Sequence, residues 1–111
     1  MVIETRQSGA VTVIKPTGPI AQADAKQLKK ELLKAQQEHL GRIVLDVSAV
    51  PFLDSTGLEA LVDVAGEMSR SGQWLKLCSV NQTVRQILEL TGLASQFEHF
   101  EDASSAVRSF L

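Results

Sequence analysis

Asp54-Ser55-Thr56-Gly57 is the run with the clearest chemical capacity in this chain. A carboxylate, two hydroxyls and a glycine follow one another where an apolar stretch, Leu45-Asp46-Val47, has ended and an amphipathic one begins. An Asp in that place is a good helix N-cap, because its carboxylate accepts from the free N–H groups of the first turn. A hydroxyl beside it meets unpaired N–H groups and the positive end of the helix dipole. Such a place holds a phosphate well once the hydroxyl carries one. Gly57 lets another backbone or side chain come close. The chemistry suggested is a phosphoryl acceptor at a hydroxyl of this first turn, Ser55 or Thr56. The residues alone also allow a plain reading, in which Asp54 is a cap and Ser55 and Thr56 are ordinary first-turn residues.

No other constellation matches this one. His39 and His99 are far apart and share no metal-ligand spacing, so both read as surface residues and no metal or cofactor is expected. Cys78 falls within a strand and reads as core, and Trp74 reads as packing at that strand's start. An enzyme using Ser55 or Asp46 would need a paired base or a metal cluster, and neither can be read, so no enzyme is expected. Ser55, Glu59, Asp63 and Glu67 recur every four residues, which places them on one ridge opposite the helix's apolar stripe. That ridge is either a solvated face meeting lysines of the first helix or an acidic docking strip.

Elements must position these groups. Val2–Thr5 reads as an edge strand, Ser8-Gly9 as a turn, and Ala10–Ile14 as a second strand antiparallel to the first. Pro16-Thr17-Gly18-Pro19 is expected to break that strand. Asp24 is expected to cap a helix from Ala25 to His39, with Ala25, Leu28, Leu32 and Ala35 inward and Gly41 ending it. Arg42–Val47 is a nearly continuous apolar strand of the kind buried on both faces. The second helix runs from Ser55 to Ser69, with Leu58, Leu61, Val62, Ala65 and Met68 as its stripe, and Ser71-Gly72 ends it. Trp74–Cys78 is the next strand. Asn81 caps a third helix with Val84, Ile87, Leu88 and Thr91 inward, closed by Gly92-Leu93. Phe97–Phe100 is a short strand. Asp102 caps a last helix with Ala103, Ala106, Val107 and Phe110 inward. The order β-β-α-β-α-β-α-β-α with right-handed crossovers implies a small mixed α/β sheet, parallel in its middle and covered by helices.

The chain's 111 residues make one domain, residues 1–111. With 44% hydrophobic and 22% charged residues it has the makings of a core and not of a disordered segment. The net charge of −2 argues against a general nucleic-acid partner. Residues 1–42 carry seven Lys/Arg against four Asp/Glu, and residues 43–111 carry four against nine, which reads as two faces of one domain. A single cysteine leaves no internal disulfide, fits a reducing cytoplasmic setting, and no apolar run reaches a membrane span.

Val44-Leu45-Asp46-Val47-Ser48 followed by Pro51-Phe52-Leu53-Asp54-Ser55-Thr56-Gly57-Leu58 resembles the signature of the STAS family, the anti-sigma-factor antagonists. The likeness covers nearly the whole chain, and Leu90-Thr91-Gly92-Leu93 is similar to a second family feature. The resemblance implies a non-enzymatic partner-switching regulator. It implies phosphorylation of Ser55 by an anti-sigma factor that is a serine kinase with a histidine-kinase-like ATPase fold, and removal of the phosphate by a PP2C-type phosphatase. The unmodified protein would bind the kinase and displace its other client. Asp54 would orient the site. Thr56, Gly57 and Leu58 would complete a contact surface with the loop from Ile20 and Ala21 to Asp24, and Glu59 and Asp63 would extend it. Many antagonists carry Gly-Glu-Leu/Ile-Asp where this chain has Gly18-Pro19-Ile20-Ala21, so two acidic positions hold Pro19 and Ala21. The alternative within the family is a constitutive subunit of a transporter or sensory scaffold, docking through the same helix start without a phosphate cycle.

Overall fold

The computed structural model describes residues 1–111. Its elements are β1 (Val2–Ser8), β2 (Val11–Thr17), α1 (Gln22–Glu38), β3 (Ile43–Asp46), α2 (Ser55–Ser69), β4 (Lys76–Cys78), α3 (Gln82–Leu90), a 3-10 turn (Ala94–Gln96), β5 (Glu98–Phe100) and α4 (Ala103–Arg108). The strands lie in the order β1-β2-β3-β4-β5. β1 is antiparallel to β2, and the other three pairs are parallel. This is the mixed, centrally parallel sheet expected from the alternation of strands and helices.

Strand alternation divides the core. Ile14, Ile43, Leu45 and Leu77 face a cluster of 20 buried residues beneath α1, α2 and α3. Val11, Val13, Val44 and Cys78 face the other way, onto a cluster of 5 that includes Ala106 of α4. Each fully buried Leu or Ile contributes about 1.5–3 kcal/mol, so the first cluster dominates stability and α4 hangs on the lesser one.

Several local expectations are corrected by packing. β1 extends past Thr5 to Ser8, and β2 runs through Pro16, which pairs with Ile3. Thr12 directs its N–H to the Arg42 carbonyl on the β3 side (2.9 Å). Pro16 has the same parity, and β3 pairing ends at Ile14, so its missing N–H costs no ladder bond. α1 starts at Gln22, with Ala21 as N-cap, so Asp24 is a first-turn residue and not the cap. β3 stops at Asp46, one residue short on each side of the expected span. β4 begins at Lys76; Trp74 lies outside it and is 53% exposed, not packed at the strand's start. The buried stripe of α2 is Gly57, Ala60, Leu61, Val64, Ala65 and Met68, with Leu58 and Val62 only half-buried. The stripe is turned because α2 packs against α1 as well as over the sheet. Thr91 is exposed and its hydroxyl donates to the Ile87 carbonyl (2.7 Å). Phe97, just before β5, is buried in the main core.

Candidate functional site

The site lies at the carboxyl ends of β2 and β3, where open α/β sheets commonly bind partners. After β3, Asp46 Oδ1 accepts from Ser48 N–H (2.9 Å) and turns the chain. Val50 and Leu53 then drop into the core and anchor the loop. From the other side, the segment after β2 comes alongside. Gly18 N–H reaches the Ala49 carbonyl (3.0 Å), and Ile20 forms an isolated parallel bridge with Leu53. Ile20 N–H donates to Phe52 (3.2 Å), and the Ile20 carbonyl accepts from Asp54 N–H (3.2 Å). The two loops therefore behave as one short, hydrogen-bonded ledge.

Asp54 ties that ledge to two helices. Its Oδ1 accepts from Gly57 N–H (2.8 Å) and caps α2. Its Oδ2 accepts from Gln22 N–H (3.3 Å) and so reaches the first residue of α1, where Ala21 supplies no side-chain cap. Gly57 is required by contact: a Cβ there would lie 2.0 Å from the Ile20 carbonyl oxygen. Leu58 N–H bonds the Asp54 carbonyl, which leaves the N–H groups of Ser55 and Thr56 without partners. Ser55 is exposed, its hydroxyl makes no hydrogen bond, and Thr56 beside it is half-buried.

The structure thus brings Asp54, Ser55, Thr56, Gly57 and Leu58 together with Ile20, Ala21 and Asp24. Their accessibilities differ. Ile20 is fully buried, so it shapes the ledge and presents no side chain to a partner, contrary to its expected place in the contact surface. Gly57 is buried too, and its part is to permit the approach of the Ile20 carbonyl. Asp24 is half-buried, with the Met1 amino group 3.5 Å from its carboxylate. Along the acidic ridge, Asp63 pairs with Lys29 of α1 (2.9 Å) and Glu67 with Arg70 (3.1 Å). Glu59 is exposed and unpaired. Two further residues of this surface have no role assigned to them by the sequence reading. Phe52 is 45% exposed, three residues before Ser55; as an apolar residue outside any periodic stripe, it could have been found. Gln22 is held at φ 50°, and nothing local announces that its N–H meets a carboxylate 32 residues away.

Elsewhere, burial first and nearby Asp46 second push the Cys78 thiol up to about 11, so it stays protonated and inert at neutral pH. No helix is long and apolar enough to cross a membrane.

Comparison with known proteins places this geometry among relatives. The STAS domain family matches residues 2–106. BtrV of Bordetella bronchiseptica, assigned as an anti-sigma factor antagonist, is 29% identical over 93 residues, covering 84% of this chain and 80% of BtrV. A Thermotoga maritima structure with the same assignment is 24% identical, covers 96% of this chain and 92% of that one, and superposes with a TM-score of 0.87. The Bacillus cell-fate determinant SpoIIAA, solved in its phosphorylated form, superposes with a TM-score of 0.75 at 16% identity, covering 99% of this chain and 100% of that one.

Proposed function

The chain belongs to the STAS domain family, and from that premise we propose that it is an anti-sigma factor antagonist switched by phosphorylation of Ser55. The observation that carries this reading is the free, exposed Ser55 hydroxyl at the first helical position, beside two unpartnered N–H groups. Relatives assigned as anti-sigma factor antagonists support the role.

Unmodified, the protein binds an anti-sigma factor across Ala21, Phe52, Ser55, Thr56 and the exposed part of Leu58, and displaces that factor's client. The partner is a serine kinase with a histidine-kinase-like ATPase fold. The γ-phosphoryl group leaves ATP for Ser55 Oγ, and ADP departs. The hydroxyl proton goes to a base of the kinase, while the two oxygens of Asp54 hold backbone N–H groups of the two helix starts. Asp54 positions Ser55 by capping α2. The new phosphate adds roughly −1.5 to −2 charges. The helix terminus offsets about 0.3–2 kcal/mol of its cost in the free protein. Binding is lost while the fold is kept. A PP2C-type phosphatase restores the hydroxyl by hydrolysis and releases inorganic phosphate. Glu59 meets a basic patch of the kinase; Asp63, engaged with Lys29, contributes less. The chain itself turns over nothing, and it works in the cytoplasm, where these partners act.

Incubation with the cognate kinase and ATP, followed by peptide mass spectrometry, tests the site. One phosphate on Ser55 is expected, and none on a Ser55→Ala variant. Phosphate on Thr56 alone, or nowhere, would overturn the assignment.

A further inference from the structure

One of the two edges of the sheet is β1. Its register with β2 sets Glu4 against Lys15 and Arg6 against Val13. Thr12, of the other parity, sends its N–H away from β1 to Arg42. Alternation along an antiparallel pair then turns the N–H and C=O groups of Glu4 and Arg6 toward β2 and those of Ile3, Thr5 and Gln7 out of the sheet. These outward groups have no partner. The edge keeps a regular register over seven residues, with no proline or bulge in β1 to blunt it.

The edge charges are self-complementary. Glu4 and Arg6 are exposed, and neither forms an ion pair within the chain. Arg6 shares a cleft with Arg108, which adds like charge instead of a counter-ion. Among the outward residues, Thr5 alone has an acid on one side and a base on the other. A second copy approaching antiparallel about a two-fold through Thr5 exchanges N–H···O bonds between the two Thr5 residues. Glu4 of each copy then faces Arg6 of the other at non-hydrogen-bonded positions, where side chains come closest. Centring on Ile3 or Gln7 pairs neither charge with its opposite. The α1 flank of this edge carries Glu31, Lys34 and Glu38, so no wall of one sign opposes the approach.

We propose that β1 is the docking edge for a second copy of this chain, joined antiparallel through Thr5 so that two five-stranded sheets become continuous. Ser55 follows β3, two strands in from this edge, so each copy keeps its site open.

Sedimentation equilibrium on the full chain tests the proposal. A mass twice the 12.0 kDa of one chain is expected at high protein concentration, weakening with salt. Glu4→Arg and Arg6→Glu each convert two attractive pairs into two repulsive ones, and each weakens the dimer about tenfold or more. The double variant restores affinity to within about threefold. Thr5→Pro removes the central outward N–H, leaves the β1–β2 ladder whole, and yields a folded monomer by circular dichroism. A monomer at every concentration, a dimer indifferent to both charge reversals, or a double variant as weak as the singles would each overturn the proposal.

Discussion

At the scale of residues, the site depends on two small choices. Asp54 spends one oxygen on each of two helices. Gly57 leaves room for the Ile20 carbonyl, which in turn accepts from Asp54 N–H. Gly57→Ala sets a methyl against backbone that cannot rotate away. It is expected to lower stability by about 1–3 kcal/mol, as overpacking does, and to weaken partner binding because the ledge shifts. Denaturant unfolding and calorimetric titration measure the two effects, and an unchanged unfolding midpoint would contradict the role given to Gly57. Asp54 as cap and Ser55 as first helical residue were legible from their order alone. The cap of α1 was not. Asp24 has the right residue type, but the chain places Ala21 there and borrows its polar partner from Asp54, a contact no local pattern records.

At the scale of elements, α4 shows how a short helix is held. Lys76 of β4 points to its side of the sheet, pairs with Glu98 (2.5 Å), and lies 5.2 Å from the Phe100 ring centre and 4.5 Å from that of Phe110. Lys76→Ala removes this clamp and should cost about 1–2 kcal/mol, as partly desolvated cation–π pairs do. Amide exchange should quicken in α4 and not in α1; uniform acceleration would contradict a local clamp. Asp102 caps α4 through Ser105 N–H (2.7 Å), and that bond holds its carboxyl below the ordinary 3.8. A depressed pKa means that the cap's contribution is complete above pH 3.8 and is lost as pH falls through the folded-state value. Asp102→Asn keeps an acceptor without a charge. In that variant, α4 protection should no longer decline as pH falls below 3.8, as read by NMR amide signals. The starts of α2, α3 and α4 were legible because their caps are local. Strand limits were not: Pro16 stays in β2 because its neighbour β3 has already ended, and Trp74 leaves β4 because pairing starts only at Lys76.

At the scale of the whole molecule, the order of elements determined nearly everything. Alternating strands and helices yield parallel neighbours by crossover, and the early hairpin adds the antiparallel edge. The uneven charge of the two halves becomes contact between neighbouring helices, with Lys29 of α1 against Asp63 of α2. That pairing narrows the acidic strip beside Ser55 to Glu59. What the sequence could not show was depth: Ile20 belongs to the right loop yet lies wholly inside it. The fold thus presents Ser55, exposed, beside a hydrogen-bonded ledge, and under the proposed switch a new charge there would alter what docks without disturbing what is packed. The most direct measurement is the affinity of the anti-sigma partner for this protein before and after stoichiometric phosphorylation of Ser55, by calorimetry. At an effective dielectric of about 20, one unit charge about 5 Å from an interfacial carboxylate costs roughly 3 kcal/mol, so binding should weaken about a hundredfold or more. Equal affinity of the two forms would contradict the account.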